Sequence, residues 1–415
     1  MKVFLSDLHL GCGDELEDFI LWDNKDIPLV KNEQDIHQGM LRMHKAFSQF
    51  IDYVLDLGEK FQEKPEIIFL GDTFDLLQAL PEERTNPRKI DLIAQVHKPF
   101  FDSLTRFHEK GGRVNLIVGN HDHDLLYPVL FDRLRSYLPF LNNIYNGKLS
   151  LYYHDPEAGI YAEHGNQFDV LNAFENPFNP DEWPIGSQLL VQLVNPLERV
   201  CPVIDNLGVR ESLWFTVRHI PRILTAAHRK DLLLLEAVEE ISRENRLKHL
   251  AYFLIHQIMP GSDASILNLL WKLLYANEEI LRNAAVPKHF LQGILYTFAT
   301  VGRNPLRIFQ ELLIDRLSNA AQRIVHGEKK TAIGNIEKPP DFVIFGHTHK
   351  PCVKRITSGR RYINTGSWKM RAAPKGRLSV RVEQRLDFAL FYRIKNKKWG
   401  AEVNSWAELM NQHRT

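Results

Sequence analysis

Five short motifs hold the residues that can do chemistry. They are Asp7-x-His9, Gly71-Asp72-x-x-Asp75, Gly119-Asn120-His121-Asp122, Glu163-His164-Gly165 and Gly346-His347-Thr348-His349. In extended backbone, residues two apart point the same way. Asp7 and His9 can therefore reach one ion together, and His347 and His349 can converge on one site. Imidazoles and carboxylates without thiolates suit manganese, iron, zinc or similar ions. Asp72 is a natural bridge, since a carboxylate can offer one oxygen to each of two metals. Two ions about 3.5–4 Å apart are a usual device for in-line attack at phosphorus: they lower the pKa of a shared water and neutralise phosphoryl charge. Singly, each motif has a plainer reading. Gly71-Asp72 can be a strand-to-helix turn with an Asp cap, Gly119-Asn120 a left-handed turn, and a lone His a structural residue. Five in succession, each after an apolar strand, point to one site.

The elements that must position these motifs alternate in period. Lys2–Ser6, Glu66–Leu70 and Val114–Val118 read as short buried strands, with helical patterns over His37–Leu57 and Ile90–His108 between them. That order predicts a parallel sheet covered by helices, and open α/β sheets place ligands at strand ends. A helix (Asp124–Tyr137) and strands Lys148–Tyr153 and Gly159–Glu163 follow. The three prolines of ENPFNPDEWP (175–184) mark a boundary. From about 185 to 326 the pattern is almost wholly helical, with apolar stripes such as Leu247, Leu250, Ala251, Leu254, Ile258 and Phe309, Leu312, Leu313, Leu317, Ala320, Ile324. A polar linker, 327–340, leads back to strands Phe342–Phe345, Cys352–Ile356, Tyr362–Asn364, Leu378–Val382, Phe388–Ile394 and Trp399–Val403. The sequence thus predicts an α/β catalytic domain, 1–174 and 336–415, interrupted by a helical insertion, 175–335, that acts as a cap.

Composition sets the outer limits. The 415 residues are 44% hydrophobic and 25% charged, which fits a globular protein and excludes disorder or a fibrous repeat. No apolar run approaches the ~18 residues of a spanning helix, and the first residues lack the pattern of a signal peptide. Three separated cysteines form neither a disulfide framework nor a zinc-binding pair, so a cytoplasmic location is expected, with peripheral contact at the inner membrane face admitted. Charge is uneven: from residue 336 onward there are 17 Lys and Arg against 6 Asp and Glu. A solvated sheet face accounts for that excess, and so does attraction of an anionic substrate.

With these residues in hand, the sequence resembles the calcineurin-like metallophosphoesterases. DLH, GDTFD, GNHD, EHG and GHTH match that family's five blocks in order, over about 1–170 and 340–370. The resemblance implies a sandwich of two mixed sheets flanked by helices. It implies one divalent ion held by Asp7, His9, Asp72 and His349, and a second by Asp72, Asn120, His164 and His347. Manganese is expected, with iron, zinc or magnesium as alternatives. It also implies His121 as acid or stabiliser, oriented by Asp75. A hydroxide shared by the two ions would attack phosphorus. The SDLHL start and the Lys350-Pro351 after GHTH are similar to UDP-2,3-diacylglucosamine hydrolases, which suggests a lipid-linked or nucleotide phosphoester. The stretch from His164 to His347 is longer than in those enzymes, and GNQFDVLNAF departs from their acidic, Cys-containing segment. A nuclease of the double-strand-break repair type is the alternative, disfavoured because residues 170–335 carry 18 basic against 17 acidic side chains and duplex binding normally shows a basic stripe. A helical protein-docking module with a structural metal site is the non-enzymatic alternative. Near the site, His123 is read as a neighbour of the ions or an exposed helix start. Asn166, Gln167 and Asp169 are read as support for the ligands, substrate contacts or a self-capping loop.

Overall fold

The computed structural model describes residues 1–28 except 15 and 25, and 33–184 except 143, 146–147 and 170–171. It also describes isolated positions from 186 to 206, residues 316–327, and 338–412 except 375–378 and 395–397. The chain divides into two compact units, Met1–Ser187 with Leu317–Thr415, and Gln188–Arg316. The expected helical insertion, including the stripe around Leu247–Ile258, lies outside the described residues apart from isolated positions and its last helix.

In chain order the first half runs β1 (Lys2–Leu5), β2 (Asp26–Pro28), α1 (Glu33–Phe61), β3 (Glu66–Leu70), α2 (Arg88–Val96), α3 (Lys98–Glu109), β4 (Arg113–Ile117), α4 (Pro128–Tyr137), β5 (Ile144–Tyr145), β6 (Lys148–Leu149), β7 (Tyr152–Asp155) and β8 (Ile160–Glu163). After the second unit come α5 (Arg316–Val325), β9 (Phe342–Phe345), β10 (Cys352–Thr357), β11 (Arg360–Asn364), β12 (Arg371–Pro374), β13 (Ser379–Glu383), β14 (Asp387–Arg393), β15 (Trp399–Ser405) and α6 (Trp406–Gln412). One sheet has the order β15-β14-β1-β3-β4 and a second β10-β11-β9-β8-β7. Both are mixed. The β1, β3 and β4 strands are parallel while β14 runs against β1, and β8, β9 and β11 are parallel while β7 and β10 run against their neighbours.

The strand period of two builds the layers. Phe4, Ile68, Leu70 and Ile117 of the first sheet face Ile160, Ala162, Ile344 and Ile363 of the second, forming the core of the sandwich. The intervening residues Val3, Leu5, Ile67, Phe69, Val114 and Leu116 point outward into a larger core with Phe47 and Phe50 of α1 and Phe100, Leu104 and Phe107 of α3. On the other side, Tyr161, Val343, Phe345 and Tyr362 pack on Leu317, Ala320, Ala321 and Ile324 of α5. The result is helix, sheet, sheet, helix. Burying each large apolar side chain contributes about 1.5–3 kcal/mol, so α5 is fastened to the second sheet by several kcal/mol.

Several elements differ from the sequence pattern. The expected helix over 90–108 is two helices, broken at His97, because Pro99 has no N–H for the Gln95 carbonyl four residues back and its ring crowds that carbonyl, whereas it is tolerated in the first turn of α3. The expected strand 148–153 is divided. Ser150 bridges to Ile117 of the first sheet, and the chain then turns so that Tyr152 pairs with Glu163 in the second. In the small sheet β12-β13-β2 β13 answers to the expected strand Leu378–Val382, while β2, β12 and the short α6 go beyond the local pattern.

Candidate metal centre

Each motif directly follows a strand, and parallel β1, β3 and β4 present theirs at the same sheet edge. Asp7, His9, Asp72, His347 and His349 have φ between 51 and 66°, a left-handed conformation that costs L-residues about 1–2 kcal/mol each. Such strain persists only where the surroundings over-determine it, and it clusters at functional sites. Here the loops are pinned to one another: the Asp7 N–H donates to Gly71 O at 3.2 Å, and the Leu8 and His9 N–H groups donate to Asp72 O at 2.9 and 3.0 Å. Side chains complete the clamp. Asp72 Oδ1 accepts the His121 N–H at 2.8 Å, and Asp7 Oδ2 accepts the His347 N–H at 3.0 Å and the Ser6 hydroxyl. Gly119 makes this approach possible, since a Cβ there would lie 2.2 Å from Asp72 Oδ1.

Three groups of side chains converge so that one ligand atom from each member lies within 4.8 Å of the others: Asp7, His9 and His349; Asp72, His164 and His347; and His9, Asp75 and His121. Asp72 links the first two, with its Oδ2 3.0 Å from His164 Nε2 and 4.0 Å from His9 Nε2. His349 Nε2 lies 3.1 Å from Asp7 Oδ1. The tautomers follow from the remaining ring nitrogens. His164 Nδ1 meets the Leu70 carbonyl at 2.9 Å, so it must carry the proton. His9 Nδ1 meets Asp75 Oδ2 at 2.9 Å. In the neutral His9 ring Nε2 is then left as a lone-pair donor, the arrangement found when an acceptor behind the ring orients a metal ligand, and His164 presents its Nε2 in the same way.

The donor set fits divalent cations. His9 Nε2 and Asn120 Oδ1 are buried and lack a hydrogen-bond partner among the described residues, while buried Asp7 Oδ1 and His164 Nε2 meet only other members of the cluster. Leaving such atoms unsatisfied costs about 1–3 kcal/mol each, and Asp7, His9 and His164 each belong to a group whose ligand atoms converge.

Electrostatics agree with that reading for His9 and the two carboxylates, while His164 Nε2 carries a proton that an ion beside Asp72 would displace. His9 is pulled down to about 4, by burial first and then by the nearby cationic His121 and Lys369, so its ring is neutral at pH 7. Burial also opposes charge on His121, yet the carboxylates of Asp75 and Asp72 outweigh it and hold the ring up at about 9. Burial resists ionisation of Asp7, but His349 and His164 bring it down to about 2. For Asp72, His164 and His121 overcome burial and hold the carboxyl well below the usual range. His164 goes up to about 10: burial works against the proton, and Asp72 and Asp7 hold it.

All nine expected site residues lie in these loops, and some do more than expected. Asp75 Oδ2 is 2.9 Å from both His121 Nδ1 and His9 Nδ1, so one carboxylate orients two rings. Asp122 accepts the N–H groups of Gly119 and Thr73 at 2.6 and 2.8 Å and thereby ties two motif loops together. Buried Lys369 pairs with Asp18 at 2.6 Å, a contact between distant segments with no sequence signal. His123 is neither exposed nor in a convergent group. Its ring stacks on Phe174 at 3.8 Å between centroids and its Nε2 meets Pro177 O at 3.0 Å. Asn166 caps its own loop through Asn172 O, while Asp169 reaches His347.

These observations define a folded α/β domain of two mixed sheets whose clustered His and Asp side chains can hold metal ions. No protein-family model and no curated protein matches the chain.

Proposed function

We propose that the protein is a calcineurin-like metallophosphoesterase that hydrolyses a phosphoester with two divalent ions, manganese foremost. The carrying observation is the convergence of the strained, cross-pinned loops on clustered, largely buried oxygen and nitrogen ligand atoms. Asp7, His9, Asp72 and His349 would hold one ion, and Asp72, Asn120, His164 and His347 the other. When bound, such ions activate water and neutralise charge on phosphoryl oxygens.

The chain's own part centres on His121. Held by Asp75 and cationic at neutral pH, it can stabilise charge developing on the phosphoryl group or give its proton to the leaving oxygen. Asn120 adds a neutral oxygen and so limits negative charge at the second ion. Burial first, then the charges of His121 and buried Lys369, keep the His9 ring neutral and available as a ligand. The substrate we favour is a lipid-linked or nucleotide phosphoester, with the segment between His164 and His347 selecting it as a cap. A phosphodiester assay tests the reaction class: chelation should abolish turnover of an aryl phosphodiester or monoester, and Mn²⁺ should restore it. Full turnover by the metal-stripped protein would contradict the reading.

A further inference from the structure

The imidazoles of the site share a design. Each of His9, His121 and His164 has its Nδ1 bound to a fixed acceptor: Asp75 for the first two, the Leu70 carbonyl for the third. In His347 the atom engaged is the other nitrogen, Nε2, which lies 3.0 Å from Asp169 Oδ2. Asp169 is not a member of the group in which Asp72, His164 and His347 converge within 4.8 Å. With Nε2 engaged by Asp169, Nδ1 is the ring nitrogen left open to an ion. Its carboxylate is itself held, since Asn172 Nδ2 donates to the same Oδ2 at 2.8 Å. The carboxylate is 31% exposed while the His347 ring is 10% exposed, so it is the ring, more than the acid, that needs this partner.

We propose that Asp169 is a positioning residue for the metal centre. It accepts the Nε2–H of His347, fixes that tautomer and leaves Nδ1 to the second ion. This rests on the two-ion reading above. The sequence places Asp169 five residues after His164, on the segment leading out toward the second unit, which begins at Gln188. The same short segment thus supplies one ligand of the second ion and the support for another. His347 is fixed twice: its backbone by Asp7 Oδ2, its ring by Asp169.

The test is Mn²⁺ binding to the full chain, followed by competition with a chelator, for the unsubstituted protein, Asp169→Ala and Asp169→Asn. Loss of a carboxylate that supports a ligand His typically weakens metal binding 10–100-fold. Asp169→Ala should show that loss at one of two sites, with the other close to the parent. Asp169→Asn should fall nearer the parent, because its amide oxygen still accepts the Nε2–H. Parent-like affinity at both sites in Asp169→Ala overturns the proposal. Equal loss at both sites in both variants, with a lowered Tm, also overturns it and assigns Asp169 a purely structural role. If the unsubstituted protein takes up no Mn²⁺, the two-ion reading fails separately. Imidazole ¹⁵N shifts then decide the contact itself: His347 should be a single Nε2–H tautomer in the parent and a mixture in Asp169→Ala, and a mixture in both contradicts it.

Discussion

Asp75 shows how much one side chain can carry at the residue scale. Its Oδ2 serves both His9 and His121, so Asp75→Asn should weaken metal binding and slow chemistry together. His121→Ala should leave the metals bound and slow turnover by on the order of 10²–10⁴. That loss should shrink for substrates with good leaving groups, which need no proton, and rate measurements across leaving-group pKa check it. An equal loss for all leaving groups would favour purely electrostatic stabilisation. Away from the site, His44 gives a pH prediction. His97 Nε2 faces Gly11 O and Glu17 Oε2, and its Nδ1 shares a hydrogen bond with His44 Nε2 at 3.0 Å. Burial and then His97 pull His44 down to about 4, below its ordinary 6.5. As pH falls, the unfolded chain takes the proton first, so this contribution is complete above about 6.5 and is lost toward 4. Between pH 7 and 5 the loss should be on the order of 1–2 kcal/mol. Urea titrations of the parent and His44→Gln, which keeps a donor toward His97, should differ by about that amount; identical pH dependence would contradict it. The ligand types were legible in the sequence because each motif is local. The second duty of Asp75 was not, since His9 and Asp75 are 66 residues apart, and neither was the Lys369–Asp18 pair.

Elements explain why the loops hold strained backbone. They grow from buried strands, and Gly119 lets two of the loops touch. Gly119→Ala should push the Asp72 carboxylate aside, costing about 1–3 kcal/mol by overpacking and lowering Mn²⁺ occupancy. A thermal scan and metal analysis check both, and unchanged occupancy would show that the loop yields elsewhere. On the opposite face, Ile324→Ala in α5 should cost about 2–5 kcal/mol, read by chemical unfolding, because Ile324 is buried against the second sheet. The strands that carry the site were readable as apolar runs closed by Gly or a polar motif. The break at His97 was hidden because the apolar spacing of Ile90, Ile93 and Ala94 continues smoothly into Phe100, Phe101 and Leu104. The β1–β14 pairing, with Val3 opposite Leu390, joins the two ends of the chain and leaves no local trace. The β2–β13 contact is equally remote, Ile27 lying opposite Val380.

For the molecule as a whole, the interrupted domain is the main consequence. Helix α5, which the sequence pattern counts with the insertion, packs on the second sheet. A shortened chain must therefore keep it and replace only the second unit, Gln188–Arg316. If that unit selects substrate, the shortened protein should still hydrolyse a small aryl phosphate and lose the larger physiological substrate. Equal loss of both by a folded, metal-binding variant would make the unit part of the catalytic apparatus. The central claim concerns where the ions sit, and crystals grown with Mn²⁺ and measured at the manganese absorption edge address it directly. The account predicts two anomalous peaks bridged by Asp72, one among Asp7, His9 and His349 and the other among Asn120, His164 and His347. A single peak among His9, Asp75 and His121, which also converge closely enough to hold an ion, or no peak at all, would contradict it.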